Sequence, residues 1–385
     1  MREGKRRARF QLTGMAILWY IGTESKTIET DECGAQTLKY KSCAMIENFY
    51  LNINGRIDTG DNCLTLCCEN VRDVPGTALC ESSQQSLEGF RRKRAEIIAE
   101  SVRLSLLGGS DDERNFPAGC AECANFVEGE HGNFDGLIHY VNLSCYPAPC
   151  QCKCIYCDVH CGESGRFDRR LHAEYYGKLF DMLDYARETG RIAPNARWQV
   201  SSGEIAIHPY KDRIFSLVRD QAATFYTNCF LFEEGVAANL SANPNSAINL
   251  SIDAGTPKTW HKVKGVDNFE AVTTNLVKYY GRSARPGQIS LKYIVLPGIN
   301  NTQADYFSVI EIMKILKVPH LTVSRDMREK YTLTAEQREM LIGAAGYLVA
   351  MLHKNRMTLD MFTYTPEERE RVAALANSLL QTGKV

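Results

Sequence analysis

The cysteines of this 385-residue chain are confined almost entirely to its first 161 residues. Eight of the 15 lie between Cys33 and Cys123, six lie between Cys145 and Cys161, and only Cys229 follows. A disulfide scaffold is normally short and cross-linked throughout, whereas the cysteine-poor part of this chain is long enough to build its own core. The clusters therefore favour thiolate ligation of metal, which also fits a reducing, cytoplasmic location.

The charge balance and hydropathy exclude several classes of protein. Lys and Arg number 45 and Asp and Glu number 46, so no overall basic field is available for nucleic acid. No stretch approaches the roughly 20 apolar residues that a membrane span needs. Residues 1–30 start with a basic segment, which we expect to be a disordered leader, with Met15 as an alternative start.

From residue 137 onward, apolar strand-like runs alternate with helical patterns. The candidate strands are 137–144, 197–202, 223–228, 247–252, 288–296 and 320–324. The candidate helices are 169–189, 210–220, 232–242, 267–281, 303–317, 334–354 and 366–381. Six strands with intervening helices predict parallel βαβ units, arranged as a doubly wound sheet or a partial barrel.

The region before this alternation has its own local signals. Asn54-Gly55 separates residues 49–53 from residues 56–58, which predicts a tight hairpin. Apolar residues at helical spacing over 85–106 predict an amphipathic helix.

The second cysteine cluster contains a spaced trio directly after the first candidate strand. Cys150, Cys154 and Cys157 form C-x3-C-x2-C, with Tyr156 before the last cysteine. Three thiolates at this spacing can hold three irons of a 4Fe–4S cluster and leave the fourth iron open. A zinc ribbon needs two separated C-x2-C pairs and a bacterial ferredoxin needs C-x2-C-x2-C-x3-C, and this segment has neither. The neighbouring Cys145, Cys152 and Cys161 are interpreted as buried thiols or bystanders, with the role of a fourth ligand as the alternative.

Over residues 137–326 the sequence resembles the radical S-adenosylmethionine (SAM) superfamily. The resemblance implies an α/β fold, a partial (β/α)6 TIM-like barrel, in which a 4Fe–4S cluster on Cys150, Cys154 and Cys157 binds SAM. It implies reductive cleavage of SAM to a 5′-deoxyadenosyl radical that abstracts hydrogen from a peptide or a small polar metabolite. An oxidoreductase or maturase-type enzyme of this kind would receive electrons from a flavodoxin or ferredoxin-type donor, with no nucleic-acid or membrane partner.

The same resemblance suggests residues for the SAM site. Tyr156 and Asn228 are cofactor-binding candidates, the latter in a segment similar to the family's Thr-Asn-Gly. Ser202-Gly203-Glu204 is similar to the Gly-Gly-Glu motif that contacts the methionine ammonium, although an ordinary strand-end turn is the alternative. Ser251 and Asp253, which alternation places on one face, are either SAM or substrate contacts or a polar strand terminus. Candidate catalytic residues are Lys292, Arg325 and Asp326, with an interface role as the alternative for Lys292.

The first cysteine cluster resembles the SPASM or shorter Twitch auxiliary-cluster domain of that superfamily. The implied ligands of an auxiliary 4Fe–4S cluster are Cys43, Cys68, Cys120 and Cys123, with Cys67 as the substitute for Cys68. Cys33, Cys63 and Cys80 would serve a second cluster or none, and structural zinc is the alternative. In the family this module follows the barrel, whereas here it precedes it.

These features divide the chain into four expected regions: the leader at 1–30, the auxiliary domain at 31–135, the barrel at 136–330, and a helical extension at 331–385. Two other classes of function stay open at this point. They are a non-enzymatic iron–sulfur electron-transfer protein and a zinc-stabilised binding module.

Overall fold

The computed structural model describes residues 40–47, 50–53, 63–67, 76–106, 126–129, 135–144, 148–157, 169–201, 203–326 and 333–385. The strands in chain order are β1 Tyr40–Cys43, β2 Tyr50–Ile53, β3 Cys63–Thr65, β4 Thr77–Ala78, β5 Phe126–Gly129, β6 Ile138–Leu143, β7 Ile192–Val200, β8 Ala222–Tyr226, β9 Ala247–Ser251, β10 Ile289–Val295, β11 His320–Arg325 and β12 Thr358–Phe362.

The helices are α1 Ala44–Glu47, α2 Ser83–Leu106, α3 Arg169–Glu188, α4 Lys211–Val218, α5 Glu234–Ala242, α6 Pro257–Lys264, α7 Phe269–Arg282, α8 Gln303–Ile315, α9 Ala335–Lys354 and α10 Pro366–Gln381. Among the described residues, no helix is long and apolar enough to cross a membrane.

A single open sheet organises most of the described chain. Its strand order is β12-β11-β10-β9-β8-β7-β6-β2-β3-β4, and β1 pairs separately with β5. The strands from β12 through β6 to β2 all run parallel, and β3 and β4 extend the sheet in antiparallel fashion. The expected mixed α/β fold, with helices around a partial-barrel parallel sheet, is therefore confirmed, and the sheet does not close.

Side chains alternate between two faces of this sheet. Phe225 of β8 and Leu250 of β9 are fully buried in the main hydrophobic core. Their neighbours along each strand, Thr224 and Ser251, are half-buried. On β10, the buried Tyr293 packs edge-on against Tyr306 of α8, with ring centroids 5.6 Å apart. The helices thus cover one face, and we call the other, which carries the half-buried polar residues, the open face.

The predicted hairpin at Asn54-Gly55 is wrong. That hairpin would pair Ile53 with Arg56, but the structure pairs Ile53 with Leu64 of β3 in antiparallel register. On its other edge, β2 pairs in parallel with β6, from Tyr50 opposite Tyr140 to Ile53 opposite Leu143. Burial of all four β2 residues explains the difference, because a strand inside a sheet needs a partner on each edge.

The predicted strands from 137 onward and the predicted helices are all present, with shifts of a few residues at their ends. After residue 137, one helix and one strand were not predicted, the short helix α6 and the strand β12. β12 adds a further parallel strand beside β11, from His320 opposite Thr358 to Ser324 opposite Phe362. Both additions lie at the part of the sheet where the candidate site is found.

Candidate functional site

The cysteine loop at residues 148–157 lies after β6, at the carboxyl edge of the parallel strands. Two backbone hydrogen bonds join it to the end of α6, from the Lys153 N–H to the Lys264 carbonyl at 2.8 Å and from the Ile155 N–H to the Val263 carbonyl at 3.0 Å. At its start, the Pro149 carbonyl accepts a 2.8 Å bond from the Glu204 N–H after β7. The loop is therefore fastened to two separate elements of the fold.

Gly203 makes the second of these attachments sterically feasible. Its φ is +60°, and a Cβ at this position would lie 2.5 Å from the Pro149 carbonyl oxygen and 2.9 Å from the Ala148 Cβ. Any other residue would combine left-handed strain with a backbone clash. The glycine of the predicted motif thus has a packing reason in the structure, and contact with a ligand stays a prediction. Ser202 lies outside the described residues.

The cysteines of the loop differ in exposure. Cys150, Cys154 and Cys157 are half-buried, whereas Cys152 is buried. Hydrogen bonds with Cys150 and Cys154, together with burial, raise the pKa of the Cys152 thiol far above its ordinary value. The hydrogen bond from Cys152 and the charge of Lys264 outweigh burial and lower the pKa of the Cys154 thiol to about 7.

Within the described residues, no three His, Cys, Asp or Glu side chains converge into a ready-made metal site. The chemistry of the donor set nevertheless fits an iron–sulfur cluster. Three accessible thiols share one loop, and the lowered pKa of Cys154 favours the thiolate form that ligates metal.

Glu204 and Asn228 connect the ends of β7 and β8 beneath this loop. Glu204 is fully buried, and its carboxylate accepts hydrogen bonds from the Thr227 hydroxyl at 2.8 Å and the Asn228 N–H at 2.7 Å. Burial raises the pKa of Glu204 despite these bonds. The Asn228 side-chain amide lies 3.6 Å from the Cys150 Sγ. The two residues therefore couple the strand ends to the first motif cysteine, and direct SAM contacts stay a prediction.

A buried polar network fastens the other end of the loop. The Lys264 ammonium, 3% exposed, lies 2.6 Å from Asp253 Oδ2, whose side chain is fully buried. The Tyr156 hydroxyl donates to the same oxygen at 2.5 Å and also accepts from Lys264. The second Asp253 oxygen accepts a 2.6 Å bond from the Ile294 N–H. The aromatic residue of the cysteine motif is thereby held against the ends of β9 and β10.

The charges in this network shift each other's protonation. Burial alone would lower the pKa of Lys264, but the charges of Asp253 and Cys154 outweigh it, and the net pKa is raised. Burial, followed by the Asp253 charge, raises the pKa of Tyr156 well above its ordinary value. Lys264 is therefore a permanent cation beside the cysteine loop, and Tyr156 stays a neutral donor.

Sequence reasoning missed Lys264, because α6 is only eight residues long and shows no extended periodicity. A signal was present, however. Thr256 caps the helix, Pro257 is its first residue, and Gly265 follows its last turn with φ +69°. Thr-Pro at the start and Gly after a basic last turn are typical helix boundaries.

The remaining candidates lie at different positions along the edge. Ser251 is half-buried on the open face, and its carbonyl accepts from Lys264 at 2.7 Å. Lys292 lies on the open face of β10, one strand away. Arg325 and Asp326 are buried at the end of β11, where the Arg325 guanidinium lies 3.0 Å from Glu368 of α10. That ion pair docks the C-terminal helix, and a substrate role for these two residues stays a prediction.

Of the predicted auxiliary-cluster ligands, Cys43 is described, as the half-buried last residue of β1. Cys68, Cys120 and Cys123 lie outside the described residues. The substitute ligand Cys67 is buried, and its carbonyl accepts a 2.7 Å bond from the Asn52 side chain.

Replacing Lys264 by Met should lower the free energy of unfolding by about 3–5 kcal/mol, because it leaves the Asp253 charge buried without its cation. The double variant Lys264→Met with Asp253→Asn should lose less than the two single variants added together. Lys314→Met is the matched control, because Lys314 and Glu311 are also 2.6 Å apart but exposed, and it should cost less than about 1 kcal/mol. Denaturant unfolding measures all four, and equal losses for the two lysines would contradict the role assigned to Lys264.

A second prediction concerns pH and the turn after Glu204. His208 is buried there between the Tyr176 hydroxyl at 2.9 Å and the Tyr210 N–H at 3.2 Å. Burial, with a smaller effect of His172, lowers the pKa of His208 to about 4. In the unfolded chain, His208 binds a proton at its ordinary pKa near 6.5. The free energy of unfolding therefore has its full value above pH 6.5 and falls by roughly 3 kcal/mol as the pH drops to 4. Unfolding measured at pH 7 and pH 4.5 should show a smaller loss for His208→Gln than for the wild type; equal losses would refute the assignment.

No protein-family model matches the sequence, and the search of curated proteins finds no match. Solved structures that resemble the chain include SuiB from Streptococcus suis bound to S-adenosylmethionine, with 12% identity, TM-score 0.40, and coverage of 84% of this chain and 71% of that one. SuiB bound to its precursor peptide SuiA has 11% identity, TM-score 0.41, and coverage of 84% and 70%. A radical SAM methyltransferase from Sphaerobacter thermophilus has 14% identity, TM-score 0.37, and coverage of 55% and 63%.

Proposed function

We propose that this protein is a radical SAM enzyme whose cluster is held by Cys150, Cys154 and Cys157. The observation that carries the proposal is the placement of the cysteine loop. A C-x3-C-x2-C segment with accessible thiols is fastened at the carboxyl edge of a parallel sheet, where such folds bind their ligands. A zinc ribbon would need two separated C-x2-C pairs, and this segment holds one such pair, Cys154 and Cys157.

The residues of the chain have distinct tasks in this proposal. Gly203 and Glu204 attach the start of the loop to the end of β7. The Asn228 side chain contacts the Cys150 sulfur. Tyr156, Asp253 and Lys264 orient the other end of the loop and place a positive charge near Cys154. The half-buried Ser251 and the strand ends beside it line the space in which SAM would be bound.

When bound, a 4Fe–4S cluster with one open iron supplies the electron and the chelation site for reductive cleavage of SAM to a 5′-deoxyadenosyl radical. The chain's task is then to exclude water and to position a substrate, a peptide or small polar metabolite, for hydrogen abstraction on the open face. A flavodoxin or ferredoxin-type protein is the proposed electron donor.

The proposed auxiliary cluster gains support from the pairing of β1 with β5. Their antiparallel register places Cys43 opposite Phe126, and Cys123 is three residues from Phe126 along the chain. Three residues span at most about 11 Å, so the chain is short enough there for Cys123 to serve as a ligand of the same cluster as Cys43. We propose that this module accepts an electron from the substrate or binds it.

The proposed activity is tested by anaerobic reconstitution with iron and sulfide, chemical reduction, and quantification of 5′-deoxyadenosine formed from SAM. The wild type should form it, and Cys154→Ala should not, because a ligand of the cluster is lost. Cys152→Ala is the matched control two residues away in the same loop and should retain the product. Deoxyadenosine formation by Cys154→Ala at the wild-type level would contradict the assignment of Cys154 as a cluster ligand.

The auxiliary cluster is tested by its metal content. With both sites filled, the reconstituted chain should contain about eight irons, and Cys123→Ala should reduce this to about four. The same variant should keep the spectrum of the SAM-binding cluster. About four irons in the wild type, or zinc in place of the missing iron, would rule out the second cluster.

A further inference from the structure

A row of polar side chains crosses the open face of the sheet beside the candidate SAM site. In register, Ser251 of β9 lies beside Lys292 of β10, Lys292 beside Thr322 of β11, and Thr322 beside Asp360 of β12. The Thr322 hydroxyl donates to Asp360 at 2.7 Å, which shows that the two side chains share one face. This row is not needed for core packing, because Leu291 and Tyr293 on either side of Lys292 fill the helix-covered face.

Lys292 is the unbalanced charge in this row. It is half-buried, and its ammonium lies 4.9 Å from the centroid of the Phe362 ring of β12. Within the described part of the chain, it makes no hydrogen bond and no ion pair. Burial lowers its pKa, as does the like charge of Lys264, and the charges of Asp253 and Asp360 offset this only in part. A half-buried ammonium beside an aromatic ring is poorly compensated without an anion.

The acids nearby are already engaged. Asp360 accepts from Thr322 and from the His320 ring, each at 2.7 Å. Asp253 is committed to Lys264, Tyr156 and the Ile294 N–H. The ammonium of Lys292 lies over Phe362 and is therefore directed toward β12. The missing anion is therefore one that arrives from outside the described chain.

We propose that Lys292 binds a carboxylate of the substrate on the open face, so that the substrate is an acidic molecule. The proposal rests on the proposed function only in calling the bound molecule a substrate. A carboxylate fits better than a phosphate group, because one ammonium balances a single negative charge. The Asp360 carboxylate, which lies beyond Thr322 in the row, would repel the second charge of a phosphate. The Thr322 hydroxyl is already donated to Asp360, so Ser251 on the other side offers its hydroxyl group to the second carboxylate oxygen.

The site is tested by acetylating the reconstituted full-length protein under anaerobic conditions and measuring the rate at Lys292 by peptide mass spectrometry. Glutarate and a short glutamate-containing peptide are the carboxylate probes, and glutaramide and the matching glutamine peptide are their uncharged counterparts. Each carboxylate should slow acetylation of Lys292 by roughly three-fold at twice its dissociation constant. Protection by the peptide alone would show that Lys292 binds the carboxylate of a peptide. Protection by both the peptide and glutarate would show that it binds carboxylates in general.

Lys278 provides the matched internal control, because it is an exposed lysine 5.7 Å from the Phe232 ring centroid on the outside of the fold. Its acetylation should not change. Saturation-transfer NMR of glutarate should show binding to the wild type, Lys278→Gln and Lys292→Arg, and none to Lys292→Gln. The Arg variant shows that charge rather than folding is the cause.

Three results would overturn the proposal: no protection by either carboxylate, equal protection by inorganic phosphate, or equal protection by SAM alone, which would assign Lys292 to the cosubstrate. Labelling does not require SAM cleavage, whereas deoxyadenosine formation does not require a carboxylate probe. A failure of the carboxylate site is thus distinguishable from a failure of the proposed function.

Discussion

The buried ion pair between Lys264 and Asp253 determines the geometry of the candidate site. Removing two charges from water is costly, and a 2.6 Å contact compensates only if the remaining donors and acceptors are also satisfied. Here they are: Tyr156 and the Ile294 N–H complete the carboxylate, and the Asn300 side chain bonds the Asp253 carbonyl at 2.9 Å. The pair therefore holds the cysteine loop, the end of β9 and the end of α6 in one fixed arrangement.

The conformation of Asp253 is part of this arrangement. Its φ of +42° is uncommon for a residue other than glycine, and it ends the strand alternation at Ser251. The bonds from Lys264 and Ile294 to its side chain, and from Asn300 to its carbonyl, hold that conformation. Strained residues of this kind persist where their surroundings over-determine them, often at ligand sites. The strand edge thus gives the cysteine loop a rigid frame.

Much of this frame is predictable from the sequence, and the exceptions have physical causes. The strands and helices after residue 137 follow from hydrophobic periodicity, because each must bury one face. β12 does not, because all five of its residues, including Asp360 and Phe362, stay exposed or half-buried, and its pairing with β11 is set by the chain around it. The predicted pairing of Ile53 is wrong for a related reason. Local turn chemistry at Asn54-Gly55 favours pairing with Arg56, but the position of Ile53 inside the large sheet pairs it with Leu64 instead. Spacing alone predicts Cys150, Cys154 and Cys157 as a ligand set, whereas Lys264 becomes visible only when the fold brings α6 to the loop.

The two lysines at this edge show how a fold separates a structural charge from one available for binding. Lys264 has Asp253 within 2.6 Å, and its pKa is raised, because the attraction exceeds the cost of burial. Lys292 lies one strand from Ser251 with no carboxylate in ion-pair contact among the described residues, and its pKa is lowered, because the charges of Asp253 and Asp360 offset burial only in part. Two lysines at the same edge of the sheet thus have pKa shifts in opposite directions. The direction depends on whether the fold places a carboxylate in contact with the ammonium. The first charge is balanced within the fold, whereas the second would gain its counter-charge from the anion that we propose it binds.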